Sequence, residues 1–237
     1  MSALAEAIAR LDVRFGARTV VSAAAAEDVA RQKRFLTGTS FDLLSGEIRT
    51  GMAAAFVGEG SSGKVTLALH AVAAAQREGG MALWVDPTCS FDPAAARRAG
   101  VDVRRTMVVR ARARDAVVLA VAAGLRSEGF RIVVADLGPS FAAVASPDAL
   151  APVLPSVRGS VSALLVVSDE PPRLLAIPTF AFETGHAEDV HGRALGWAFE
   201  VRRVGGVHDA RALLGVGLLD GRLYDAGVRA DVREEAV

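Results

Sequence analysis

Two rhythms of apolar residues alternate along this chain: short unbroken runs of strand length, and longer stretches in which apolar positions return every three or four residues. Met52 to Val57 is the first clear run and predicts a buried strand. Val65 to Glu78 follows with helical spacing and closes on Gly79 and Gly80. The alternation then repeats, with strands at Met81 to Asp86, Met107 to Arg110 and Arg131 to Asp136, and helices at Asp92 to Ala99, stopped by Gly100, and at Asp115 to Ser127. After a proline-interrupted segment, Pro147 to Val157, a further strand runs to Ser168. Such regular alternation predicts parallel strands joined by helical crossovers, an α/β fold with a mostly parallel twisted sheet flanked by helices. From Leu195 onward the pattern changes to short strands separated by glycines, such as Trp197 to Val204 and Arg211 to Leu219, which predicts a mixed edge on that sheet.

Ahead of the first strand lies a different pattern. Leu4, Ile8, Leu11 and Phe15 recur at helical spacing and draw one apolar stripe, followed by the short strand-like "TVV" and the alanine tract Ala23 to Ala26, which reads as a hinge. The expected organisation is an N-terminal helix and strand arm over residues 1–34 and a core domain over 35–237. The stripe can pack on its own core or on another molecule, and periodicity fits both. An apolar helix on an alanine hinge matches the helix-in-groove mode of recognition.

Composition narrows the class. The chain has 237 residues, 51% of them hydrophobic, enough to bury a substantial core within one large α/β domain. Its formal net charge is zero, so no global field draws it to DNA or an anionic membrane. Cys89 is the single cysteine, which excludes an internal disulfide and a four-thiolate zinc site. The apolar runs are too short to span a bilayer, and the first residues carry no signal-peptide pattern, so a soluble cytoplasmic protein is expected.

Most of the chemistry is concentrated in "GEGSSGKVT", residues 58 to 66. Gly58, Glu59, Gly60, Ser61, Ser62, Gly63 and Lys64 complete the phosphate-loop pattern up to its lysine, between a predicted strand and a predicted helix. Backbone amides there can surround phosphate oxygens at the positive end of the helix, and Lys64 can reach the outer phosphates. Val65 stands where a Ser or Thr hydroxyl would hold magnesium, and Thr66 can still touch an inner phosphate. The expectation is weak ATP binding without turnover, and doubtful magnesium binding.

"FGARTV", "FLTGTSFDLLSGEIRTGMAAAFVGEGSSGKVTLALHAVAAAQREGG" and "DPTCSFDPAAARRAGVD" resemble, in order and spacing, the N-terminal arm and ATPase core of bacterial RecA recombinases. The likeness runs from about Leu4 to about Gly205 and is most specific between Phe35 and Asp102. On that resemblance Gly58, Gly63 and Lys64 match the phosphate loop, Asp136 the Walker B acid, and Asp92 the residue beside the adenine. Other matches are losses. Thr88 stands at the glutamate that activates the attacking water, Ala95 at the tyrosine that stacks on adenine, and Ser168 and Asp169 at the pair that senses the terminal phosphate. Lys33 and Lys64 are the only lysines, so the paired lysines of a RecA filament interface are absent. The extra C-terminal domain of RecA proteins is not expected here.

By the same resemblance, the two flexible DNA-binding loops of RecA fall on "GPSFAAVASPDAL" and "EPPRLLAIPTFAFETGHAEDVHG". The first lacks a basic residue and the second has Arg173 before the acidic Glu183, Glu188 and Asp189, so weak or no direct DNA binding is expected. Arg104, Arg105, Arg110, Arg112 and Arg114 form a basic run that reads as a solvated rim. His186 and His191 in "HAEDVH" read as surface residues, and Cys89 as a packing residue. The resemblance implies a non-hydrolysing RecA paralogue whose N-terminal stripe docks on RecA. Within it, the degenerate catalytic set and small size fit an ImuA-type member of the SOS mutasome, partnered by RecA and polymerase components of translesion synthesis. An ATP-dependent recombinase and a nucleotide-sensing regulator related to SulA cell-division inhibitors are the other classes.

Overall fold

β3 (Ala53–Val57) is apolar at every position because it lies in the middle of a sheet covered by helices on both faces. It belongs to a computed structural model that describes residues 33–45, 48–138, 146–190, 193–204, 211–217 and 220–227. The chain divides into two compact units, Met1–Lys33 and Arg34–Val237. Leu4, Ile8, Leu11, Phe15 and the alanine tract lie outside the described residues.

A two-stranded ribbon, β1 (Arg34–Phe35) with β2 (Ile48–Arg49), brackets the short helix α1 (Phe41–Ser45). The main chain then alternates as the pattern predicts: α2 (Lys64–Arg77), β4 (Met81–Val85), α3 (Pro93–Arg98), β5 (Thr106–Val109), α4 (Arg114–Arg126) and β6 (Phe130–Asp136). A 3-10 turn over Pro147–Val153 and the short helix α5 (Leu154–Val157) lead to β7 (Ala163–Ser168). The last strands are β8 (Thr179–Val190), β9 (Arg193–Val204), β10 (Arg211–Gly217) and β11 (Leu223–Gly227).

Nine strands form one sheet in the order β11-β10-β9-β8-β3-β7-β6-β4-β5. The run from β8 to β5 is parallel, and β8 to β11 pair antiparallel, so the predicted mixed edge is present. Alternate residues of each central strand serve opposite faces. Ala54 and Phe56 pack with Leu67, Ala71 and Val72 of α2, while Ala55 and Val57 pack with Val117, Val121 and Leu125 of α4. The alanines of α2 bring that helix close to the sheet, which leaves ten of its fourteen residues buried.

The stretch matched to RecA's second DNA-binding loop is not a loop throughout, since β8 takes up residues from Thr179 onward. Its first half alternates: Phe180 and Phe182 are buried, and Glu183 is exposed. Phe180 stands opposite Phe56 in the parallel ladder, and both pack edge-on against Phe41. The prolines upstream, Pro171, Pro172 and Pro178, hide this strand from a reading by punctuation. β9, at twelve residues, is also longer than the short strands expected there. Among the described residues no helix is long and apolar enough to cross a membrane.

Candidate functional site

The parallel ladder brings four strand ends into line. Val57 stands opposite Ser168, Asp136 opposite Val167, and Val85 opposite Ala135. The residues just beyond these ends therefore share one edge of the sheet, where ligands bind in open α/β folds. They are Gly58 after β3, Asp169 after β7, Asp136 closing β6, and Asp86 after β4.

From Gly58 the chain loops into α2, which starts at Lys64 without a side-chain cap. Two glycines are required by space. A Cβ on Gly58 would lie 2.6 Å from the Phe182 carbonyl oxygen, and one on Gly63 would lie 2.6 Å from the ring of Phe199. Gly63 also adopts a φ of 91°, in the left-handed region open to glycine. Ser62 is fully buried and its hydroxyl has no hydrogen-bond partner. An orphaned buried hydroxyl costs roughly 1–3 kcal/mol, so this group fits a ligand oxygen brought to the uncapped helix start. Glu59, Gly60 and Ser61 are exposed, Thr66 is half-buried, and the Val65 side chain is 39% exposed. The loop thus fits the inner phosphates of a nucleotide through its amides and Ser62, whereas Val65 offers no oxygen to a magnesium ion.

Lys64 is buried, with its charge already engaged. Its Nζ donates to the Gly58 carbonyl at 2.6 Å and the Gly60 carbonyl at 2.9 Å, and lies 3.0 Å from Oδ1 of Asp169. The contact with Asp169 is an ion pair whose angle falls outside hydrogen-bond geometry, and Oδ1 has no hydrogen bond from elsewhere.

Two acids occupy the floor beside the loop. Asp86 is fully buried and accepts from the amides of Ser90 at 2.9 Å and Phe91 at 3.0 Å, and from the hydroxyls of Thr88 and Ser90, each at 3.3 Å. It thereby shapes the turn after β4, where Cys89 takes a left-handed φ of 59°. Asp136 accepts from the Ser90 hydroxyl at 3.1 Å. Burial pushes its carboxyl from the ordinary 3.8 up to about 6; the Ser90 hydrogen bond opposes this, and the nearby Asp86 reinforces it. Thr88 also donates to Ser90 at 3.1 Å. Asp92, matched to the adenine position, caps α3 by accepting from the Ala94 amide at 2.7 Å. Ala95 packs against the core.

The structure brings Gly58 to Thr66 and Asp136 to one edge of the sheet, while Asp92 spends one carboxylate oxygen as a helix cap. Arg104, Arg110, Arg112 and Arg114 are exposed, as a solvated rim requires. Arg105 is different: it donates to the carbonyls of Gln76 at 3.2 Å and Gly80 at 2.7 Å. Sequence reasoning missed Asp86, Ser90 and the hub residue Gln76. Only Asp86 carried a signal, as an acid directly after a buried strand.

The sequence model of the RecA N-terminal domain matches residues 2–152. RecA of Chlorobaculum parvum is 36% identical over 133 residues, covering 55% of this chain and 38% of that protein. RecA of Rhodospirillum centenum is 33% identical over 137 residues, covering 56% and 38%. RecA of Aquifex pyrophilus is 38% identical over 105 residues, covering 44% and 30%. The matched part thus spans less than two fifths of each of these relatives.

Proposed function

The chain belongs to the RecA family, and from that premise we propose that it is a catalytically degenerate member that acts on RecA rather than as a recombinase. The observation that carries this reading is Thr88. It stands where the resemblance puts the water-activating glutamate, and its hydroxyl is spent on Asp86 and Ser90. A threonine hydroxyl is no general base at neutral pH. With Val65 in place of a metal-binding hydroxyl, both the activation of water and the neutralisation of phosphate charge are weakened. The amide cradle remains, so ATP is held weakly and without turnover.

The role that fits these losses is an accessory in the SOS response to DNA damage, of the ImuA type. It binds and restrains RecA through the apolar stripe of Leu4, Ile8, Leu11 and Phe15, and supports error-prone translesion synthesis together with polymerase components. It is a protein of the cytoplasm with weak or no direct contact to DNA. The intact cradle also supports a second reading, a nucleotide-sensing regulator of the SulA type.

Two measurements test the proposal. Purified protein should show no ATP hydrolysis above background, with or without single-stranded DNA; turnover abolished by Lys64→Ala ends the pseudo-enzyme reading. The protein should also capture RecA and slow strand exchange, and Ile8→Asp with Leu11→Asp should remove both effects. Undiminished inhibition by that variant places the docking surface elsewhere.

A further inference from the structure

We propose that Asp169 is a resident anion of the phosphate loop, and that it biases the site toward a nucleoside diphosphate over a triphosphate. The inference rests on the reading that the loop holds a nucleotide, and it adds which phosphate chain the loop accepts.

The lysine of a phosphate loop serves ligands through its three N–H donors and its charge. Here two donors point at the Gly58 and Gly60 carbonyls, and a carboxylate oxygen sits 3.0 Å from the same nitrogen as its counter-charge. The carboxylate is held in place by the fold. Val57 and Ser168 are in register, the Gly58 amide donates to the Ser168 carbonyl at 3.3 Å, and the Ser168 hydroxyl donates to the Glu170 carbonyl at 2.8 Å. These contacts fix the backbone on both sides of Asp169. The pair is shielded as well, with side chains 5% and 19% exposed.

An outer phosphate that comes to Lys64 has to part this pair. Asp169 is then left beside a second anion, half-buried and without its counter-charge, and like charges a few ångströms apart in a shielded site repel strongly. A diphosphate, seated on the uncapped amides of α2 and the orphaned hydroxyl of Ser62, brings one anionic group fewer to Asp169 and so meets less of that repulsion. Glu59 and Glu170 are exposed and lie outside this shielded pair.

The experiment is calorimetric titration of the full chain with ADP and with ATP, for the wild type and for Asp169→Asn. The wild type should bind ADP more tightly than ATP. The variant should gain about tenfold or more in ATP affinity while ADP stays within about threefold, a change of at least about 0.7 kcal/mol in the ATP-to-ADP difference and about 1.4 kcal/mol where ADP affinity does not move. Asp169→Ser removes the same charge and carries the same expectation if the asparagine variant does not fold. Adding Lys64→Met to either should abolish the gain. An unchanged ATP-to-ADP ratio overturns the proposal, and so does failure of wild type and variants alike to bind either nucleotide. Hydrolysis measured on the same samples separates the two readings: turnover by the wild type refutes the degenerate enzyme and leaves the affinity ratio to decide on Asp169.

Discussion

Asp136→Asn should make this protein more stable at neutral pH. The carboxyl is raised from 3.8 to about 6 because burial penalises its charge. Between those two values the folded state holds a proton that the unfolded state has lost, so stability falls as pH rises through the window. Below about 3.8 both states are protonated and nothing is lost; above about 6 the loss is complete. A shift of about 2 units at 1.36 kcal/mol each comes to roughly 3 kcal/mol. Asparagine keeps an oxygen for the Ser90 hydroxyl and removes the charge, so it recovers most of that amount. Urea unfolding, followed by the fluorescence of the fully buried Trp84, gives the measurement in chelator-containing buffer between pH 4 and pH 8. The advantage of the variant should be near zero at pH 4 and reach roughly 2–3 kcal/mol at pH 7.5. A variant less stable than wild type at pH 7.5, or one with the same advantage at both ends, refutes the assignment of this cost to the buried charge.

Gly63→Ala should lose roughly 2–4 kcal/mol, the sum of a left-handed alanine and an overpacked Phe199 ring, read as a drop in the urea midpoint at constant slope. Gln76→Ala leaves the Asp102 amide without its acceptor and removes the side-chain amide shared by the Asp102 and Arg105 carbonyls and the Thr106 hydroxyl, although the Asp102 carbonyl keeps the Thr106 hydroxyl as a donor. Its cost should be about 2–4 kcal/mol in the same assay. Fluorescence anisotropy with single-stranded DNA should show weak binding that declines steeply with salt, and combined Arg104, Arg110 and Arg112 to alanine changes should remove what remains. Tight binding that persists at high salt contradicts that expectation.

Most of the parallel half of the sheet was legible because β3 and β4 are wholly apolar, the centres of β6 and β7 are too, and the helices after β3 and β4 end at glycines, Gly79 and Gly100. The loop of Gly58 to Lys64 between β3 and α2 was legible as a contiguous pattern. β8 was not, because its ladder partners, Ala55 to Val57, lie more than a hundred residues earlier, and three prolines stand just before or at its start. Asp169 could be read from sequence as an anion near the outer phosphate position, but its pairing with Lys64 depends on β7 lying beside β3, which local periodicity does not encode. Gln76 looks like one more polar residue at the end of a helix. Its role exists only once the turn at Asp102–Thr106 folds back over it.

The register between Val57 and Ser168 also bears on how fast the site can respond. Ser168, next to Asp169, is paired in the sheet and Lys64 is the first residue of α2, so opening the pair needs side-chain rotation and no strand displacement. Rotamer changes of that kind take picoseconds to nanoseconds for exposed groups and longer where packing slows them, well short of the microseconds to milliseconds of hinge and lid motions. Nucleotide capture in stopped-flow mixing should therefore be a single phase whose rate rises linearly with concentration and does not level off.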